Sequence, residues 1–219
     1  MKVCILGDSH APEIFRQAAW IKGLFLTNPE DADLIVIAQD AGIEKNGERN
    51  LRMVMKYIHE AQLHSAPIIL TSQVPPGFCR QLNDPRLYHQ SETLRIKDAL
   101  ERAVFPEQII IAAHDFTLGW DRIHLAVKTW CETFTQNIVW CSYEDAEFSK
   151  MAINMTLASQ VENTNRLSEA AKKVGANWKV IKRILGNDKR IGPHSYLDPG
   201  DWQQSKHLLR DYITLKSYG

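Results

Sequence analysis

The first two thirds of the chain alternate short apolar runs, rich in β-branched residues, with longer amphipathic stretches. The apolar runs predict strands, in chain order over residues 2–6, 24–27, 34–38, 67–71, 86–89, 108–113 and 137–141. The amphipathic stretches predict helices over 50–63 and 120–134, because their apolar residues recur at i, i+3 and i+4. Strands separated by helices are typical of a parallel sheet. We therefore expect an α/β domain over residues 1–141.

The last third of the chain has a different character. Ser142 and Asp145, three residues apart, form a capping-box start, and no glycine or proline follows until Gly175. This pattern predicts one long helix over residues 143–174, roughly 48 Å in length at about 1.5 Å per residue. Because a domain of this size does not need such a helix internally, we expect the helix to pair with its twin in a homodimer. Two shorter helices are predicted after it, over 178–185 and 203–216.

Composition and charge narrow the function classes. The 219 residues are 44% hydrophobic and 24% charged, which is typical of a folded globular protein and not of a disordered one. With 26 basic and 26 acidic residues the chain has no net field to attract nucleic acid or an anionic membrane, which favours small molecules and protein partners. The opening apolar run, residues 3–6, is too short for a signal peptide or a membrane span, so we expect a cytoplasmic location. The four cysteines have no CxxC spacing and predict no metal site.

The first candidate functional residues lie in the turn after the first predicted strand. Gly7 stands at the first position of a G-x-G-x-x-G dinucleotide turn, but Ser9 and Pro12 occupy the second and third glycine positions. The same turn also resembles the nucleophile block of the GDSL-type hydrolases, with Asp121 and His124 as a D-x-x-H pair. In that alternative, Ser9 is the nucleophile of a Ser-His-Asp arrangement for acyl transfer.

A stronger signal comes from several segments taken in order, which together resemble the UDP-glucose/GDP-mannose dehydrogenase family over nearly the whole chain. The similar motifs are an A-D-hydrophobic strand, an S-(T/Q)-V-P-x-G turn, a Y-x-P-E-x-L-R segment with its following strand, an A-E-x-x-K-x-x-x-N helix start and a D-x-R-I-G loop. In this sequence they occupy residues 31–38, 72–77, 88–95, 105–111, 146–154 and 188–192. One position within them differs, because Ser91 replaces the proline of the third motif.

The resemblance implies catalytic roles for four residues. Glu92 lies at the position of the family's catalytic glutamate. Lys150 and Asn154, four residues apart, share one face of the long helix, where an ammonium and a carboxamide can hold an alkoxide or oxyanion between them. Asp211 matches the family's catalytic aspartate.

Substrate and cofactor contacts are implied in the same way. Arg190 matches the arginine of a loop that approaches the substrate across the family's dimer interface, and Arg210 stands where the family usually has lysine. Both are expected to bind substrate. The family's cofactor is NAD, and Gly7, Ser9 and Gln73 occupy the positions expected to contact it.

Departures from the family pattern change the expected activity. His207 occupies the position of the nucleophilic cysteine, whose thiolate attacks the aldehyde formed by the first hydride transfer, and imidazole does not easily replace a thiolate there. His207 is left as a substrate-binding candidate. A strand-helix portion is missing between Ala19 and Thr27, together with the acid that binds the cofactor ribose. The family's carboxy-terminal domain has no counterpart either, so we expect a truncated, degenerate member.

The resemblance and the pattern together predict an abbreviated Rossmann-like parallel sheet in residues 1–141, followed by an all-helical domain in 142–219. The leading hypothesis is a protein like the nucleotide-sugar dehydrogenases, whose family reaction is the NAD-dependent oxidation of a UDP- or GDP-hexose to the uronate. It would bind a nucleotide sugar, use NAD if active, hold no metal and form a homodimer through residues 143–174. The alternatives are a non-catalytic dimeric binding module and the hydrolase that uses Ser9.

Overall fold

The computed structural model describes residues 1–44 and 47–218, except for the side chain of Ile96. The strands are β1 Lys2–Leu6, β2 Phe25–Leu26, β3 Leu34–Ile37, β4 Gly42–Ile43, β5 Arg49–Asn50, β6 Ile68–Leu70, β7 Leu87–Ser91, β8 Ile109–Ala113 and β9 Ile138–Ser142. The helices are α1 His10–Ile21, α2 Arg52–Gln62, α3 Phe78–Leu82, α4 Ala99–Val104, α5 Leu125–Phe134, α6 Tyr143–Lys173, α7 Trp178–Asn187 and α8 Lys206–Lys216. The prediction of an α/β sheet followed by helices is confirmed.

The described residues divide into two compact units. The first contains residues 1–44 and 49–150, and the second contains residues 47–48 and 151–218. Helix α6 begins in the first unit and continues in the second after Lys150. The first unit therefore holds the sheet, and the second holds α7, α8 and the greater part of α6.

Seven strands of the first unit form one sheet in the order β2-β1-β3-β6-β7-β8-β9. Neighbouring strands run parallel, as predicted, except for β7 and β8, which are antiparallel. The length of helix in the connection does not account for this exception, because the parallel strands β6 and β7 are joined through α3, which has only five residues. The antiparallel direction of β8 corrects the prediction of a parallel sheet.

The strands that follow β1 in the chain lie on both sides of it in the sheet. Helix α1 carries the chain from β1 to β2 on one side, and a 3-10 turn at Pro29–Asp31 then leads it to β3 on the other side. The crevice between the carboxyl ends of β1 and β3 is therefore the topological switch point, where open α/β sheets bind their ligands. Strand β2 has only two residues, lies within the strand predicted over 24–27 and forms the edge of the sheet.

Apolar side chains cover both faces of the sheet. Val3 and Ile5 of β1 pack into one core with α1 and α5, whereas Cys4 and Leu6 pack into the other core with α2. This alternation follows from the period of two along a strand. It explains why the strands are continuous apolar runs and could be recognised in the sequence.

The helix predictions are mostly confirmed, with one correction. Helix α6 spans 31 residues and coincides with the predicted long helix. The helix predicted over 120–134 was too long, because Trp120–Arg122 forms a separate 3-10 turn and α5 begins only at Leu125, after the N-cap residue His124. No helix in the described chain is long and apolar enough to span a membrane.

Candidate functional site

The turn between β1 and α1 lies at the switch point of the sheet. Gly7 has a φ of 136°, a conformation that side chains rarely tolerate, and a Cβ at this position would lie 2.5 Å from Cγ of Pro12. The backbone N–H of Asp8 donates a hydrogen bond to Oε1 of Gln39, at 2.9 Å. Gln39 is buried and directly follows the last residues of the β3 segment. One backbone donor of the turn is therefore already used by a protein side chain.

Ser9 forms a second link across the same crevice. Its hydroxyl oxygen accepts a hydrogen bond from the backbone N–H of Asp40, at 3.1 Å, and its O–H lies 3.5 Å from the carbonyl oxygen of Ala38. Although Ser9 is the N-cap residue of α1, its side chain does not cap the helix. Ser9 and Gln39 together tie the turn after β1 to the segment after β3.

These contacts test whether the turn fits NAD. A diphosphate needs free backbone N–H groups and a helix start that favours negative charge. Here the N–H of Asp8 is bonded to Gln39, Pro12 has no N–H in the first turn of α1, and Glu13 places a carboxylate in that turn. The turn around Gly7 and Ser9 therefore does not fit the diphosphate of a dinucleotide.

The structure contradicts the hydrolase alternative. Ser9 is bonded to the backbone after β3, Nδ1 of His124 accepts a hydrogen bond from the N–H of Ala126 at 3.2 Å, and the carboxylate of Asp121 pairs with Lys128 at 3.1 Å. A Ser-His-Asp triad requires hydrogen bonds from serine to histidine and from histidine to aspartate. Neither bond occurs between these described residues.

The loop that contains Gln73 is fixed by a carboxylate that we did not predict as a site residue. Glu147, buried in the first turns of α6, accepts hydrogen bonds from the N–H of Gly77 at 2.5 Å and of Cys79 at 2.8 Å, at the start of α3. Burial raises the pKa of Glu147, and the backbone donors act in the opposite direction. The carbonyl oxygen of Gln73 accepts a hydrogen bond from Arg49, at 2.9 Å.

Glu92 follows the last residue of β7 and is half-buried. Its carboxylate accepts a hydrogen bond from the backbone N–H of Leu94, two residues later, and so closes a local turn. It lines a solvent-open depression that also includes Arg102, whose Nε donates to the carbonyl oxygen of Thr93 at 3.2 Å. Lys150, the other catalytic candidate of the first unit, is half-buried, and its side-chain ammonium makes no hydrogen bond or ion pair with the described residues.

The second unit brings together three predicted residues in a buried polar cluster. Nδ2 of Asn154, on α6, donates a hydrogen bond to Oδ2 of Asp211, on α8, at 2.6 Å. Nε of Arg210 lies 3.5 Å from Oδ1 of the same carboxylate. Asp211 is fully buried, Arg210 is 2% exposed and Asn154 is 7% exposed. A carboxamide, a carboxylate and a guanidinium in contact can orient a hydroxyl group or stabilise an oxyanion.

The remaining two candidates lie on the surface of the second unit. The Arg190 side chain is 88% exposed and pairs with the carboxylate of Asp188 at 2.8 Å. This contact raises the pKa of Arg190 and lowers the pKa of Asp188. His207, in the first turn of α8, is also exposed. Neither residue is part of the buried cluster.

Two residues that shape these sites were missed in the sequence, Gln39 and Glu147. Gln39 stands directly after an apolar run, where parallel strands place ligand-binding side chains, and this position was a usable signal. Glu147 stands inside the A-E-x-x-K motif, but its partners are 70 and 68 residues away. The described residues contain no group of three or more histidine, cysteine or acidic side chains that could hold a metal ion.

Comparison with known proteins confirms the resemblance seen in the sequence. Residues 144–205 match the central domain of the UDP-glucose/GDP-mannose dehydrogenase family. The chain is 23% identical to the UDP-glucose 6-dehydrogenase of Rickettsia typhi, over an alignment that covers 99% of the chain and 53% of the relative. It thus spans about half the length of the curated relatives it matches.

Solved structures share the Rossmann-like fold. The UDP-glucose dehydrogenase of Pyrobaculum islandicum has a TM-score of 0.70 at 18% identity, and the UDP-D-ManNAc dehydrogenase of Pyrococcus horikoshii has a TM-score of 0.73 at 13% identity. Each alignment covers 99% of this chain and 68% of the other. The chain therefore has the fold of nucleotide-sugar dehydrogenases.

Proposed function

We propose that the chain is a degenerate protein of the nucleotide-sugar dehydrogenase type, which binds a nucleotide sugar but does not oxidise it with NAD. The observation that carries this proposal is the bridged crevice between β1 and β3, where Gln39 accepts the N–H of Asp8 and Ser9 accepts the N–H of Asp40. Hydride transfer requires a cofactor held in a fixed place next to the substrate. A turn that has lost the N–H of Asp8 to Gln39, has no N–H at Pro12 and places Glu13 in the first helical turn does not provide that place.

The second unit supports the sugar-binding half of the proposal. The buried cluster of Asn154, Arg210 and Asp211 keeps two charged groups out of water, which is costly unless the groups are paired. Such a cluster can hold a sugar hydroxyl through its carboxamide and carboxylate. His207, at the position of the family's cysteine, has no thiolate to form a thioester, so this chain lacks the group for the second oxidation step.

A dimeric binding module is a second candidate function, favoured by the surface of the second unit. Helix α7 has no buried residue, and its Val180 and Ile184, four residues apart, are 44% and 57% exposed. Val174, at the end of α6, is 80% exposed. Val174, Val180 and Ile184 are here called the α7 stripe. We propose that the chain forms a homodimer in which a second copy covers this stripe. The four free cysteines are compatible with the cytoplasmic location included in this proposal.

Calorimetric titration with UDP-glucose and GDP-mannose tests the sugar-binding half. We expect saturable binding of at least one of them, and Arg190→Ala should weaken it if the exposed guanidinium contacts the ligand. Failure of both sugars to bind at about 1 mM, where a millimolar ligand still occupies half of its sites, would contradict this half. The oxidation half is tested by NADH absorbance with the same sugars, where we expect no signal. Formation of NADH would contradict it.

The dimer is tested by sedimentation with Ile184→Lys, which places a charge in the exposed stripe of α7. We expect this variant to lose the self-association that depends on α7, while Lys182→Ala, on the same helix, should not. An unchanged mass for Ile184→Lys, equal to that of the wild type, would contradict a dimer through this stripe.

A further inference from the structure

The depression beside Glu92 has a floor of aromatic side chains. It lies within the first unit and encloses about 380 Å³ together with the open space at its mouth. Phe15 of α1 and Trp130 and Phe134 of α5 line it, and all three are buried. The Trp130 ring packs against the other two, with centroids 6.4 Å and 4.8 Å apart. This floor therefore offers a rigid apolar surface to the body of a small ligand.

Gln90, on β7, contributes a hydrogen-bond donor to this depression. Gln90 is 8% exposed, and its Oε1 accepts a hydrogen bond from Nε1 of Trp130 at 2.9 Å. Because an indole N–H can only donate, this bond fixes which end of the amide is the oxygen. The amide nitrogen, Nε2, makes no hydrogen bond with the described residues and retains some exposed surface. Since Gln90 lines the depression, its NH₂ group is available there to an acceptor of a ligand.

Arg102, on α4, contributes a second donor. Its Nε donates to the carbonyl oxygen of Thr93 and its Nη1 to Oε1 of Glu107, at 3.2 Å each, which holds the guanidinium in place. Its Nη2 makes no hydrogen bond with the part of the chain that the structure describes. A carboxylate has two acceptor oxygens and forms its strongest hydrogen bonds with charged donors. Arg102 and Gln90 are therefore suited to bind a carboxylate together.

The depression also contains a negative charge, the carboxylate of Glu92. Arg102 does not pair with Glu92 but with Glu107, whose side chain is 80% exposed and lies outside the depression. The depression thus has one positive and one negative group that do not neutralise each other. A ligand with a carboxylate alone would be repelled by Glu92, and one with an ammonium alone would be repelled by Arg102. A ligand that carries both charges is attracted by each.

We propose that this depression binds a free α-amino acid with an apolar side chain. The carboxylate of the amino acid accepts hydrogen bonds from Gln90 and Arg102, its ammonium pairs with Glu92, and its side chain packs on the aromatic floor. The volume is at the lower end of small-molecule pockets, which suits a ligand of this size. The inference does not depend on the proposed function, which rests on the turn after β1 and on the second unit.

Calorimetric titration of the unmodified protein with L-phenylalanine and L-leucine, up to about 10 mM, tests the proposal. We expect saturable binding of at least one of them. The matched controls are the N-acetyl derivative of that amino acid, which has no ammonium, and its amide, which has no carboxylate. Each should bind at least about tenfold more weakly, because each loses charged hydrogen bonds. Failure of both amino acids to bind, or equal affinity for the derivatives, would overturn the proposal.

Two matched substitutions locate the binding site. Glu92→Gln removes the negative charge of the depression, and Glu107→Gln removes the carboxylate that contacts Arg102 from outside it. With the fold checked by circular dichroism, we expect Glu92→Gln to weaken amino-acid binding at least about tenfold and Glu107→Gln to weaken it less than about twofold. Equal affinities of the two variants would overturn the proposal. Because only amino-acid binding is measured, the result is independent of whether a nucleotide sugar or NAD binds.

Discussion

The turn after β1 and the buried cluster of Asn154, Arg210 and Asp211 were both assigned to the chemistry of the same family, yet they are built differently. At the turn, Ser9 and Gln39 bond to neighbouring backbone and close the crevice. In the cluster, Asn154 and Asp211 bond to each other, with Arg210 beside them. The first region is held together by hydrogen bonds to backbone groups, whereas the second contains a costly set of buried polar groups.

This difference indicates which constraint acts on each region. A buried carboxylate and guanidinium are expensive to maintain, and they add little stability compared with apolar residues of the same size. Their presence in the second unit favours a role in binding. In the bridged crevice, by contrast, the N–H groups of Asp8 and Asp40 already have side-chain acceptors within the protein. The turn after β1, expected to contact the cofactor, and the buried cluster, expected to contact the substrate, should therefore respond differently to mutation.

The largest effect is expected where the cluster is broken. Asp211→Ala removes the carboxylate that Asn154 and Arg210 contact, and it leaves a buried guanidinium without this partner. We expect the free energy of unfolding to fall by about 3 to 5 kcal/mol, measured by urea denaturation. Asp198→Ala, which removes an exposed carboxylate paired with Lys182, is the control and should cost less than about 1 kcal/mol. Equal stability of the two variants would show that the cluster is not a buried unit.

The stability of the sheet unit should depend on pH through a buried histidine of β7, His89. Burial lowers the pKa of His89 from 6.5 to about 4. Because the folded pKa is depressed, the unfolded state binds a proton first, and stability present above pH 6.5 is lost as the pH falls towards 4. We expect a loss of about 3 kcal/mol over this window. His89→Leu should flatten the curve, and His59→Leu, exposed on α2, should not. A curve unchanged by His89→Leu would contradict the burial of a neutral imidazole.

Glu147 should show the opposite sign within the same unit. Burial raises its folded pKa above the usual 4.5, so the folded state holds the proton longer than the unfolded state does. The contribution of Glu147 is thus fully present below pH 4.5 and declines as the pH rises through the folded pKa. Glu147→Ala, which leaves the N–H groups of Gly77 and Cys79 without their acceptor, should cost about 1 to 3 kcal/mol at neutral pH.

The control for Glu147 is Glu144→Ala, one turn earlier on α6. Its carboxylate pairs with Arg80 at the surface, 48% exposed, so its removal should cost less than about 1 kcal/mol. If both alanine variants unfold at the same urea concentration, the loop before α3 does not depend on Glu147.

The smallest effect on stability is expected at Arg190. Its ion pair with Asp188 is exposed, and Arg190→Ala should change the free energy of unfolding by no more than about 0.5 kcal/mol. A loss of nucleotide-sugar affinity in this variant, measured by calorimetry, would then report a lost ligand contact rather than a damaged fold. A large loss of stability would instead show that Arg190 holds the second unit together.

The sequence predicted the layers of the fold better than its contacts. Runs such as Leu34–Ile37 are apolar without interruption because both faces of the sheet are covered, so they could be recognised without homologues. The antiparallel direction of β8 could not be recognised, since the apolar pattern of a strand is the same whichever way the strand runs.

The candidate sites depended on the resemblance. Asn154 and Asp211 are 57 residues apart in sequence, and nothing in the spacing alone pairs them. Gln39 bonds to a backbone group 31 residues away, through a side chain that has no helical or strand periodicity to mark it. Local patterns report burial, whereas a site is assembled from residues that only the folded chain brings together.

We propose that the turn after β1 does not accept the diphosphate of NAD, because Gln39 uses the N–H of Asp8 and Pro12 has no N–H to donate. The most direct measurement is a calorimetric titration of NAD into the wild type and into a variant with Ser9→Gly, Pro12→Gly and Gln39→Ala, which frees the N–H of Asp8 and adds one at position 12. We predict no binding to the wild type at about 1 mM and a measurable gain in the variant. Saturable binding of NAD to the wild type, unchanged in the variant, would contradict the claim.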